Sequence, residues 1–249
     1  MGLLSGLCSI DKLLHLETFR CFLESLDEGF FRFGVRIMPA DVVAALEPRK
    51  TPVQARAAIT VEAIREATIQ VLLSYGAERL TTTRVAERAG VSVGTLYQYY
   101  RNKRSLLAAV FEDHLNRVAV VVESACEQAH HKPLADMIRQ MVEAYVTVKM
   151  DRADISVALY KVAPDIGGAA LTERVGRRLR QAVDAMVQTA PDVELPPDKF
   201  AIEMMLAAMS GAMRSALETG ASPATFRKMR EHLVLLCQSY MTAVTAQRN

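Results

Sequence analysis

A chain of 249 residues that is 51% hydrophobic, with 12 glycines and 9 prolines, can bury substantial cores; its dominant Ala, Leu, Met, Glu and Arg favour an all-α fold and exclude a sheet protein. The formal net charge of +2 divides unevenly: Arg49 to Arg104 holds ten basic and four acidic residues, net +6, and the remainder is net −4. A basic segment joined to an acidic one points to a polyanion partner for the first, with a solvated charged face as the alternative, and no apolar stretch reaches the roughly 18 residues of a membrane span.

Residues 1–48 carry Phe19, Phe22, Phe30, Phe31 and Phe33 among Gly29, Gly34 and Pro39, with only broken helical periodicity. Two readings stand for this extension of unknown role: an accessory arm, or residues upstream of a true start at Met38. Regular structure begins after Pro52, where Ile64, Ala67, Val71 and Tyr75 recur at helical spacing and Gly76 ends the helix. Thr81, Thr82 and Thr83 offer N-cap hydroxyls to a short helix with Val85, Ala86 and Ala89, stopped by Gly90; Ser92 caps another, Val93 to Tyr100.

Asn102 is the expected N-cap of a long helix reaching about His130, with Leu106, Leu107, Val110, Phe111, Leu115, Val118 and Val122 on its apolar face. Pro133 opens a helix with Met137, Met141, Ala144, Tyr145 and Val148; Ile155, Leu159 and Tyr160 belong to the next, ending near Pro164. A stripe from Leu171 to Met186 follows. After Pro191, Pro196 and Pro197 come two final helices, about 198–219 and from Ser222–Pro223 onward.

The segment from Thr81 to Tyr100 carries the most information. Two short helices meeting at a glycine turn cross steeply, so that the second can enter a DNA major groove while the first lies over the backbone. Val85, Ala86, Ala89, Val91 and Leu96 supply its small core. On the second helix Gly94 lets the backbone approach DNA, Thr95 can bond a phosphate or touch a thymine methyl, and Tyr97 can reach a phosphate oxygen. Lys103 adds charge beside free helix N–H groups.

The run T-T-R-V-A-E-R-A-G-V-S-V-G-T-L-Y-Q-Y-Y-R-N-K resembles the helix-turn-helix of the TetR family of bacterial regulators, with Tyr100 where phenylalanine is usual. The resemblance covers about residues 55 to 107. It implies an N-terminal three-helix DNA-binding domain, here 49–104, and a C-terminal helical ligand-binding and dimerisation domain, here 105–249. It also implies that Thr82 and Tyr97 contact phosphates, that Thr83, Val93, Gly94, Thr95 and Tyr99 face base edges or the groove wall, and that Lys103 anchors the backbone. Arg84 is a further DNA-binding candidate from its charge.

The expected function is that of a dimeric repressor on a pseudo-palindromic operator in double-stranded DNA, released by a small, largely apolar effector; a DNA-binding protein without an effector is the alternative. Met137, Met141, Tyr145, Tyr160, Met205 and Met209 are candidate pocket residues, because thioethers repack around varied shapes, although core filling explains them equally. Homodimerisation is expected through the last two helices, where Ala207, Ala208, Gly211, Ala212 and Ala216 allow close approach and Leu233, Leu236, Tyr240 and Val244 offer apolar surface.

No phosphate-binding glycine loop, nucleophile elbow or H-E-x-x-H occurs, so no enzyme and no cofactor is expected. Cys8, Cys21, Cys126 and Cys237 lie far apart, which fits a reducing cytoplasm, and no secretory leader is apparent. Cys126, His130, His131 and Asp136 do not make a convincing metal set.

Overall fold

The computed structural model describes residues 55–246, which are helical apart from caps and turns. Both readings of residues 1–48, and the start of the basic segment at Arg49, lie outside those residues. Among the described residues nine α-helices follow one another: α1 Ala55–Arg79, α2 Thr82–Ala89, α3 Val93–Tyr99, α4 Lys103–Ala129, α5 Leu134–Asp151, α6 Ala153–Val162, α7 Gly168–Val187, α8 Lys199–Glu218 and α9 Pro223–Ala246. One 3₁₀ turn, Ala163–Ile166, joins α6 to α7. Among the described residues no helix is long and apolar enough to cross a membrane.

Local chemistry sets the boundaries. Gly76 sits at φ 74°, ψ 171°, so α1 is broken there and a further turn carries it to Arg79. Only glycine reaches that backbone region at ordinary cost. The Asn102 carboxamide accepts the Ser105 N–H at 2.8 Å and the Ser105 hydroxyl accepts the Asn102 N–H at 3.2 Å, a reciprocal cap that starts α4. Asp198 accepts from Ala201 N–H at 2.8 Å to start α8, and Ser222 accepts from Thr225 N–H at 3.1 Å to start α9.

Two hydrophobic clusters result, and α4 runs through both. The first joins Ile64, Val85, Ala86, Leu96 and Tyr100 to Leu106, Val110 and Phe111 of α4, then to Ile155, Leu159 and Val162 of α6 and to Ile166. The second joins Val118, Val122 and Cys126 of α4 to Met137, Met141, Val183, Met205, Met209, Leu233 and Cys237. The core beneath the helix-turn-helix therefore does not stop at residue 104, the expected domain edge; α6 seals it.

Tyr75, expected on the buried face of α1, is 54% exposed, and that face ends at Val71 and Leu72. The break at Gly76 leaves Tyr75 on the outside, where the Arg84 guanidinium lies over its ring at 5.3 Å. Leu233, expected on the outer face of α9, is buried within the chain's own core.

A Cβ placed on Gly76 meets nothing within 4 Å, so substitution there strains the backbone without a clash. Gly76→Ala is expected to lower the unfolding free energy by about 1–3 kcal/mol, read from denaturant melts; an unchanged midpoint would show that the break relaxes at no cost.

Candidate nucleic-acid interface

Helices α2 and α3 meet through three residues. Thr81 caps α2, accepting from Arg84 N–H at 3.3 Å. Gly90 at φ 67°, ψ 29° ends it, and its left-handed backbone lets the Val91 N–H bond Ala86 carbonyl at 3.0 Å. Ser92 then accepts from Thr95 N–H at 3.0 Å, so α3 starts at once in a new direction. Val85, Ala86 and Leu96, each at most 1% exposed, fill the angle between the helices.

The face of α3 turned away from that core carries Gly94, Tyr97 and Gln98, all exposed, with Val93 and Thr95 half-buried beside them. A Cβ on Gly94 would meet only Ser92 Oγ, at 3.6 Å, an ordinary contact. Among the described residues nothing requires glycine there. The Thr95 hydroxyl lies 2.8 Å from the Ser92 hydroxyl.

Thr82 and Tyr97, assigned to phosphates, lie together: Thr82 Oγ1 and Tyr97 Oη are 3.1 Å apart, tying the start of α2 to the middle of α3. Thr83 is exposed on α2. Arg84 folds back to donate to the Arg79 carbonyl as well as covering Tyr75. Lys103 is half-buried and donates to the Ala77 carbonyl at 2.5 Å, bracing α4 against the end of α1.

Tyr99 departs from the expectation that it faces the groove. At 9% exposure it packs with Leu96 and Tyr100 into the core, because a seven-residue helix has one buried face and positions 96, 99 and 100 share it. Gln98 takes the outward place that was assigned to Tyr99. The signal was in the sequence: Gln98 stands four residues after Gly94 and three after Thr95, on their face. Exposed Arg101 and Arg104 flank Lys103, and charge is their only signal in the sequence.

The six candidate pocket residues are brought together in the second cluster. Met137, Met141, Met205 and Met209 are at most 2% exposed, Tyr145 is buried, and Tyr160 is half-buried at its edge. Cys126 is buried in the same cluster, and burial pushes its thiol up to about 12. The rings of His130 and His131 stand edge-on at 6.2 Å, and among the described residues no group of three or more metal-ligating side chains converges.

Unforeseen from the sequence is a buried polar knot where the two clusters meet. Ser156 of α6 donates to the Arg152 carbonyl at 3.2 Å; its two lone pairs face His114 Nε2 of α4 at 3.0 Å and Lys149 Nζ of α5 at 3.2 Å. With Ser156 donating elsewhere, His114 must be the donor and carry its proton on Nε2. Lys149 also donates to the Tyr160 hydroxyl at 2.6 Å and lies over that ring at 4.8 Å. Burial, then the charges of Lys149, Arg117 and Arg152, hold His114 down to about 3. Burial alone brings Lys149 down to about 8.

Among the described residues, an all-helical arrangement in which a helix-turn-helix with an exposed outer face precedes a larger helical body is the architecture of a DNA-binding transcriptional regulator. Residues 64–110 match the family described as "Bacterial regulatory proteins, tetR family", and residues 133–241 match "Tetracyclin repressor-like, C-terminal domain". The chain belongs to the TetR family.

The chain is 45% identical over 51 residues to Tetracycline repressor protein class C of Escherichia coli, 20% of this chain and 23% of that one. It is 26% identical over 116 residues to HTH-type transcriptional regulator BetI of Escherichia coli, 47% of this chain and 57% of that one. The matches thus span less than two thirds of either curated relative. A crystal structure from Mesorhizobium loti, described as a TetR-family transcriptional regulator, shares the fold with a TM-score of 0.65 at 18% identity, over 76% of this chain and 98% of that one.

Because the folded pKa of His114 lies below its unfolded value near 6.5, the unfolded chain takes the proton first on acidification. The stability supplied by the neutral ring is complete above about pH 6.5 and is lost as pH falls towards 3, at about 1.4 kcal/mol per pH unit. In urea melts between pH 6.5 and 4.5, His114→Asn is expected to lose stability more slowly than wild type by roughly that slope. Parallel curves for the two proteins would show that His114 is protonated, or free to be, in the native state.

Proposed function

We propose that this protein is a dimeric transcriptional repressor of the cytoplasm that binds a pseudo-palindromic operator through α3 and is released by a small effector held in the C-terminal body. The observation that carries the reading is the outer face of α3: Gly94 is bare with no reason for it among the described residues, and Tyr97 and Gln98 stand exposed one turn further along. Gln98 is the side chain with the chemistry to read a base edge, bonding an adenine through its amide. Thr82, Thr83, Tyr97 and Lys103, with Arg101 and Arg104, ring it with phosphate donors.

Two copies are needed for a palindrome, and the outer faces of α8 and α9 supply the surface. Phe200 at 64% exposure and Met204 at 45% stand above Ala207, Ala208, Gly211 and Ala212 on α8, while Leu235 at 61% and Leu236 at 50% stand out from α9. Small residues allow the helices to approach and the large ones gain most from burial. A two-fold four-helix interface of this kind would set the two α3 helices one DNA turn apart, roughly 34–36 Å.

Release follows from the sharing of α4. An effector that moves the second cluster shifts the far half of α4, and the near half carries the helix-turn-helix with it; α6, which touches both clusters, moves in concert. A difference in effector affinity of about 1–3 kcal/mol between the two arrangements weakens operator binding 5- to 150-fold.

A mobility-shift assay on the DNA upstream of the gene tests the contact surface. Gly94→Ala, Tyr97→Ala and Lys103→Ala are each expected to bind about tenfold more weakly, with Gly94→Ala melting no lower than wild type because alanine favours a helix. Wild-type affinity in all three would remove α3 from the interface. Affinity should also fall by about 0.9 log units per tenfold salt for each phosphate neutralised, and a flat response would count against the basic surface.

Sedimentation tests the pairing. Wild type is expected to be a dimer at micromolar concentration and Leu236→Asp a folded monomer, since a charge buried without a partner costs several kcal/mol. A wild-type monomer would leave the operator geometry without its two-fold axis.

A further inference from the structure

Lys149 is 3% exposed, and among the described residues no carboxylate meets it. An ammonium taken out of water without a counter-ion is costly, and proteins seldom keep one for packing. Two of its three hydrogens go to Ser156 and Tyr160, and the third has no acceptor among the described residues. The Tyr160 oxygen accepts from Lys149, which leaves its own hydrogen to be donated. Ser156 is saturated by Arg152, His114 and Lys149 and cannot take either proton. The knot is therefore rich in donors and short of acceptors at the place where α5 and α6 face the methionine cluster.

The surrounding charges do not correct this. Arg117, Arg152 and Arg214 are cations, and Asp113 is already bound to Arg65 and Arg117. Glu218 is the acid that acts on Tyr160, but it is paired with Arg214 at 2.8 Å. Tyr160 is half-buried, and the Arg214 side chain, 57% exposed, lies over its outer face at 5.1 Å. Inward, Tyr160 packs against the cluster that holds Met205, Met209 and Tyr145.

We propose that Lys149 and Tyr160 form a head-group site for the carboxylate of an aliphatic monocarboxylic acid, whose tail takes the space now filled by repacking methionines. One carboxylate accepts the third Lys149 hydrogen and the Tyr160 hydroxyl hydrogen together and neutralises the Lys149 charge. A phosphate, with more charge and three acceptor oxygens, would be left under-satisfied by one ammonium. This inference rests on the effector-responsive reading above and names the chemistry of the effector. It also replaces a largely apolar ligand by one with an ionised end.

The test uses the full chain with sodium butanoate, hexanoate and octanoate, each against the alcohol of the same length, read by isothermal titration and by the unfolding midpoint. At least one acid is expected to bind saturably and raise the midpoint, with its alcohol about tenfold weaker or silent, and with Lys149→Met and Tyr160→Phe each binding that acid about tenfold more weakly. Should Lys149→Met not fold, Tyr160→Phe, which keeps the ring, decides the matter. Acids that bind no better than alcohols, or that bind the variants as tightly as wild type, overturn the head-group site. The same preparation is assayed on upstream DNA. DNA binding with no response to any acid sinks this inference alone, whereas acid binding through Lys149 in a protein that ignores DNA supports the site and sinks the regulator reading.

Discussion

Helix α4 buries its first turns against the helix-turn-helix and its later turns among the methionines of the C-terminal body. Neither cluster is complete without it, so the orientation of α3 and the packing of the methionine cluster cannot be set independently. The Asn102–Ser105 cap fixes where this shared helix begins, and Lys103 ties its first residue to the end of α1. A rigid element common to two cores is the physical means by which a change of packing in one is felt in the other.

Helix α6 makes the coupling tighter. Its Ile155, Leu159 and Val162 belong to the DNA-binding core, while its Ser156 and Tyr160 hold Lys149 of α5 and His114 of α4. Ten residues thus present an apolar face to one side and a polar one to the other. Breaking or filling the polar knot must act on three helices at once, since every one of its hydrogen bonds but that to Arg152 crosses between them.

The outer surface divides by chemistry in the same way. Around α3, a bare glycine, an amide and a set of hydroxyls and cations suit a polyanion. On α8 and α9, the exposed Phe200, Met204, Leu235 and Leu236 suit a second apolar surface.

The helices, their caps and the helix-turn-helix were legible in the residues because they depend on near neighbours: Ser92 caps Thr95, Gly90 turns the chain, Asn102 meets Ser105. The inward turn of Tyr99, the exposure of Tyr75, the burial of Leu233 and the meeting of His114, Lys149 and Ser156 were not, since each depends on which face a helix shows to partners distant in the chain. Sequence alone determined the fold class and the position of the recognition helix, because capping and periodicity act within a turn or two. Only the tertiary structure decided which polar groups lose water together, because desolvation is a property of the whole assembled core and of no single segment.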